Sequence, residues 1–207
     1  MTELRGSELL FVNACPRGPR SRTLALAEAF LARLSQHLPD LRIRRHRLTE
    51  MNLQPSEAAW LIRKDALCDR RDWTDERFEA ALAFRRADAV VIAAPYWDLS
   101  FPAILKTWVE NIWVRNLTFV YQEDQAIGLA CGKAAVYITT SGSFLAGHDW
   151  GTAYIRDVMT TLGIPIFESV AAEGLDLLSS DPERILAWAM DEAGKAADRM
   201  AELLQHQ

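Results

Sequence analysis

The chain has 207 residues, half of them apolar, which suits a single domain over 1–207 with a sizeable core. Lys and Arg number 23 against 28 Asp and Glu, with the two signs interspersed, so the net charge of −5 argues against nucleic acid as a main partner. The first eight residues are polar and no apolar run approaches the ~20 residues of a membrane span, so no membrane partner and a cytoplasmic location are expected.

Three cysteines (Cys15, Cys68, Cys131) are widely spaced without a C-x-x-C, and the four histidines are equally scattered, so neither a disulfide framework nor a metal site is indicated. In chain order, Leu9 to Asn13 reads as a short buried strand, followed by a Pro, Gly and Arg loop from Cys15 to Arg20. A helix then begins with Ser21 or Thr23 as cap. Leu24, Ala27, Leu31, Leu34 and Leu38 form one face of a 3.6-residue period that stops at Pro39. Leu41 to Leu48 is a strand with four arginines and a histidine, too polar for the middle of a sheet, and is expected at an edge.

From Ser56 to Arg71 the composition is helical, with Trp60, Ile62 and Leu67 as part of an apolar face. Thr74 and Asp75 start a clearer helix that runs to Arg85. Ala89 to Ala94 is an uninterrupted apolar run, the pattern of a strand buried on both faces of a parallel sheet. A loop bearing Tyr96, Trp97 and Asp98 leads to a helix from Ala103 to Val114, and Thr118 to Tyr121 with Gly128 to Gly132 suggests a short extended excursion. Ala134 to Thr139 is the next strand, ending in the hydroxyl-rich turn Thr140-Ser141-Gly142-Ser143. A helix with Tyr154, Val158 and Leu162, closed by Gly163, precedes a last strand from Ile164 to Ala171. Asp181-Pro182-Glu183 opens the terminal helix.

Strands alternating with helices five times imply an α/β, doubly wound parallel five-stranded sheet with helices on both faces. With the polar second strand at an edge, the strand order is 2-1-3-4-5, and the switch point lies beneath the Cys15 and Tyr96 loops. Hydroxyls at Ser21 and Thr23, arginines at 17, 20 and 22, and the amides of a helix N-terminus together suit a phosphate monoester. No dinucleotide fingerprint follows the first strand. Gly128 to Lys133 is one residue short of a nucleoside-triphosphate loop, and Ala134 lacks its hydroxyl.

Taken together, Phe11-Val-Asn-Ala-Cys-Pro-Arg17 with Ser21-Arg22-Thr23, Ala94-Pro95-Tyr96-Trp97-Asp98-Leu99 up to Lys106, Leu117 to Tyr121, Gly128 to Lys133, Thr140-Ser141-Gly142 and Ala172-Glu173-Gly174 carry a family likeness over nearly the whole chain. They resemble the flavodoxin-like NAD(P)H oxidoreductases that include FMN-dependent NADH-azoreductase and NAD(P)H:quinone reductase. The resemblance implies FMN as cofactor, NADH or NADPH as hydride donor and a homodimer with flavin sites near the interface. It also implies ping-pong transfer, through flavin N5, to a small-molecule electron acceptor such as a quinone or azo compound, with no obligatory side-chain acid or base. Ser21, Arg22 and Thr23 match the turn that holds the FMN phosphate. Pro95, Tyr96, Trp97, Asp98 and Leu99 match the loop along the ribityl chain and ring, and Thr140, Ser141, Gly142 and Ser143 the loop on the other side of the flavin. Cys15 stands beside the phosphate turn where a Ser is common, and Asp98 where an Asn is common.

Two other classes share the fold. A low-molecular-weight phosphatase or arsenate reductase places a nucleophilic Cys at this loop, but its C-x5-R-[ST] count fails by one residue in either direction from Cys15. A flavodoxin-type electron carrier docks through a strongly acidic face, which a mixed charge of −5 does not offer. Phe144 and Trp150 are the aromatics expected to line a substrate pocket. The Trp-rich helix from Ala103 to Val114 and the segment around Trp60 are expected to present aromatic surface for the second subunit.

Overall fold

A computed structural model describes residues 7–205. The apolar run forms β3 (Ala89–Ala93), every residue of it buried. It pairs in parallel with β1 (Glu8–Asn13) on one side and β6 (Ala134–Thr140) on the other. The edges are β2 (Arg42–Arg47), with only His46 buried, and β7 (Ile166–Ala172). Arginines suit that first edge because their stems cover apolar surface while the heads stay in water, as Arg45 does over the Phe11 ring at 5.2 Å.

Numbered along the chain the sheet runs β2-β1-β3-β6-β7, which corrects the expected 2-1-3-4-5. The difference comes from the excursion after α4 (Ala103–Ile112). There β4 (Phe119–Gln122) and β5 (Gln125–Gly128) pair antiparallel with each other and form a separate two-stranded ribbon. Four residues on each side of a tight turn satisfy one another locally and never reach the sheet.

Alternating side chains of the strands feed two cores. Leu9, Phe11, Val91 and Val136 meet α1 (Arg22–His37) and α6 (Pro182–Gln205). On the other face Leu10, Val12, Val90 and Ile92 meet α3 (Glu79–Arg86), α4 and α5 (Trp150–Thr161). The buried face of α1 is wider than the expected stripe, since Leu26 and Phe30 join it while Leu24 and Leu38 are only partly covered.

A third cluster holds α2 (Ala58–Arg70) against the 3-10 turn Glu76–Phe78 through Trp60, Leu67 and Cys68. Ile62, assigned to that face from sequence, points to solvent at 75% exposure, because it is two positions from Trp60 and therefore on the far side of the helix. The aromatic surface expected for a second subunit is also corrected. Trp108 is fully buried, edge-on to Phe84, and Trp60 is 8% exposed, stacked beneath the Arg77 guanidinium and beside Phe78. Among the described residues no helix is long and apolar enough to cross a membrane.

Candidate functional site

The carboxyl ends of β1, β3 and β6 stay in register beyond the strands. Ala14 donates to the Ala93 carbonyl at 2.8 Å, Ala94 to Ile138 at 3.1 Å and Tyr96 to Thr140 at 2.9 Å. Here neighbouring connections leave for opposite faces of the sheet, so a crevice opens between them. It is a cleft of about 260 Å3.

One wall is the turn into α1. A 3-10 turn over Gly18–Arg20 delivers Ser21, whose extended backbone and Oγ cap the helix by accepting from the Leu24 amide at 3.2 Å. The amides of Arg22 and Thr23, two residues that line the cleft, have no carbonyl four residues back inside the helix and lie at the positive end of its dipole. Thr23 Oγ1 bonds Thr140 Oγ1 at 2.7 Å, and both side chains are buried. The Arg22 guanidinium is committed to the Leu175 carbonyl at 3.2 Å and to Asp176 Oδ1 at 2.8 Å. Arg17 and Arg20 also line the cleft, and among the described residues neither has an ion-pair partner.

The opposite wall is Pro95, Tyr96 and Trp97. Trp97 and Ser100 exchange backbone bonds of 3.2 and 2.8 Å around Asp98 (φ 51°) and Leu99 (φ 66°), two successive left-handed residues that make a type I′ turn. That geometry throws Asp98 and Leu99 outward, and neither lines the cleft. The Tyr96 hydroxyl donates to the His148 carbonyl at 3.0 Å. Partial desolvation, with Asp149 and Glu173 nearby, holds its phenol above the ordinary value, so it stays neutral.

Thr140, Ser141 and Gly142 close the third side, while Ser143 points its carbonyl back to Ser141 Oγ at 2.7 Å. Asp176 also reaches the cleft and had no signal in the sequence beyond its place shortly after Ala172-Glu173-Gly174. Phe144 and Trp150, 62% and 60% exposed, are not among the cleft residues. Phe144 lines a second groove of about 860 Å3 with Ile185 and Trp188, and Trp150 lies 6.3 Å from the His148 ring.

Cys15 sits behind the first wall. The residue is 3% exposed, its Sγ lies 3.5 Å from the Ala93 carbonyl, and burial pushes the thiol up to about 11 despite a hydrogen bond with Ser21. A nucleophilic thiolate needs the reverse, an open electropositive setting that lowers the value. The phosphatase reading thus has neither the residue count nor the electrostatics it requires.

The donor set fits a phosphate monoester: two free guanidinium groups, two free helix amides and hydroxyls at the switch point of a doubly wound sheet. A family profile described as a flavodoxin-like fold matches residues 7–197. Over 192 residues, 89% of this chain and 94% of the relative, the sequence is 32% identical to an FMN-dependent NADH:quinone oxidoreductase of Clostridium beijerinckii. The chain belongs to this flavodoxin-like family. A second relative, FMN-dependent NADH:quinone oxidoreductase 2 of Clostridium acetobutylicum, is 42% identical over 122 residues, a stretch spanning 56% of this chain and 61% of that protein. An FMN-dependent NADH-azoreductase from Bacillus anthracis, solved in complex with FMN, superposes with a TM-score of 0.81. It covers 94% of this chain and 99% of its own at 22% identity, a likeness of fold.

Proposed function

We propose that this protein is a flavin oxidoreductase that binds FMN in the cleft and passes electrons from NADH to a quinone, azo or related acceptor in ping-pong order. The observation that carries the reading is the pair of unpartnered guanidinium groups, Arg17 and Arg20, beside the free amides of Arg22 and Thr23. A phosphate dianion could satisfy all four at once, and the Clostridium beijerinckii relative is named an FMN-dependent enzyme. When bound, FMN supplies the two-electron chemistry, taking a hydride from the nicotinamide and returning it to the acceptor.

The chain's own residues bind and orient. Arg17, Arg20 and the helix amides hold the phosphate, and the neutral Tyr96 and Trp97 offer flat apolar surface for the ring. Ser141 and Gly142 support the other side. The carboxylate among the described cleft residues is Asp176, and it is committed to Arg22.

The whole chain acts as one domain, in the cytoplasm where NADH is supplied, and as a homodimer. Since Trp60 and Trp108 are spent in the core, the second subunit is placed instead against exposed Phe144, Trp150, Leu178 and Trp188. Titration of apo-protein with FMN, riboflavin and FAD, together with NADH:quinone turnover, tests the reading. FMN should bind at least about tenfold tighter than riboflavin, as one charge-assisted bond of ~1.5–3 kcal/mol requires. Equal affinity for the two would remove the phosphate argument.

A further inference from the structure

The Ala172-Glu173-Gly174 segment has so far no task, and none of its side chains enters the cleft. Its backbone nevertheless runs beside residues 141–145. Ser141 donates to the Ala172 carbonyl at 2.9 Å, Leu175 to Ser141 at 3.1 Å, Asp176 to Gly142 at 2.9 Å and Gly174 to Ser143 at 3.2 Å. The last rung differs in kind. The Leu145 amide donates to Glu173 Oε2 at 2.8 Å, a charge-assisted bond from a side chain where the backbone ladder runs out. Gly174 contributes a bare Cα, at φ +78°, under the Phe144 ring, and a Cβ there would stand 2.8 Å from the ring carbon Cζ.

We infer that Glu173 is a positioning residue: its carboxylate, with the bare face of Gly174, fixes the 141–145 segment so that Ser141 and Gly142 stand ready against the flavin. This inference rests on the FMN reading for its ligand, though not for its geometry. Beyond Leu145 the chain makes a positive-φ turn at Ala146 and Gly147, and the next tether is the Tyr96 hydroxyl on the His148 carbonyl. Without Glu173 the Leu145 amide loses its partner, and the stretch between the Gly174 bond to Ser143 and the Tyr96 tether at His148 keeps no side-chain bond to the 172–176 segment. Because Glu173 acts on the ring side of the cleft and not on the phosphate side, its loss weakens every flavin by the same factor, whether or not a phosphate is present.

The test compares the parent, Glu173→Gln and Glu173→Ala. Gln keeps an amide oxygen able to accept from Leu145, and Ala does not. In apo-protein, hydrogen exchange at the Leu145 amide should accelerate about tenfold or more in Glu173→Ala and stay within about threefold in Glu173→Gln, with amides of Val90 to Ile92 unchanged in both. In titrations, Glu173→Ala should weaken FMN and riboflavin by a common factor of about ten, and Glu173→Gln should restore both. An unchanged Leu145 exchange rate in Glu173→Ala, or a Gln variant as impaired as Ala, overturns the inference. So does a loss confined to FMN. If the parent binds no flavin, the FMN reading fails, while the exchange experiment still decides whether Glu173 holds the segment.

Discussion

Thr23 Oγ1 and Thr140 Oγ1 lie 2.7 Å apart, joining the first turn of α1 to the last residue of β6 across 117 positions of sequence. Each hydroxyl is buried with the other as partner, so removing one leaves the second desolvated and unpaired. Thr23→Val or Thr140→Val should each cost about 1–2 kcal/mol, and the double variant less than the sum. Thermal unfolding of the four proteins measures the cycle, and additive losses would show that the pair is not coupled.

Arg17 and Arg20 should control affinity for the phosphate and its dependence on salt. Either residue changed to Ala should weaken FMN about tenfold while leaving riboflavin within about twofold, and FMN binding should weaken less steeply with added salt. Titrations at two ionic strengths check both parts.

Cys15 bears on pH. With the folded thiol raised from an ordinary 9.0 to about 11, the unfolded chain ionises first as pH rises. The contribution is therefore present at neutral pH and lost between about 9 and 11, roughly 3 kcal/mol at 1.36 kcal/mol per unit. Cys15→Ala should flatten that alkaline limb in denaturant melts. Cys15→Ser should keep flavin binding and quinone reduction within about tenfold, and a thiol reagent at neutral pH should label the exposed Cys131 before Cys15 or Cys68.

Leu99 occupies φ 66° with 66% of its surface exposed, so it carries left-handed strain without a packing return. Leu99→Gly should raise stability by about 1 kcal/mol, or a few degrees in Tm, and should leave the Trp97 to Ser100 turn in place. A fall in Tm would mean that the Leu99 side chain is held by contacts made only in a larger assembly.

Much of this architecture was legible because burial leaves a periodic mark. The apolar run at 89–94 and the arginine-rich strand at 42–47 located the centre and one edge, and the helix cap at Ser21 with hydroxyls at 23 and 140 located the cleft. The unmarked parts depend on contacts between distant residues. Nothing local distinguishes Asp176, whose role is set by Arg22 154 positions away. Similarly, the outward turn of Asp98 and Leu99 follows from paired positive φ values that neither residue type announces, and the fate of Ile62 depended on which face of α2, the one bearing Trp60, met Phe78.

The bond from Arg22 to Asp176 closes the cleft with a residue laid down near the end of the chain. One wall comes from positions 17–23, another from 95–97, the third from 140–142, and the buttress from 172–176, so no contiguous fragment contains a usable portion. A nascent chain lacking its last quarter has the phosphate turn and its Thr140 partner but lacks Asp176 and the 172–176 buttress. On the proposed FMN reading, flavin is expected to bind the completed sheet and so to stabilise the native state, each tenfold excess of free cofactor over its Kd adding about 1.4 kcal/mol against unfolding. If that reading holds, yellow colour in a preparation counts finished molecules, and flavin-depleted protein should be cleaved faster by added protease than flavin-loaded protein.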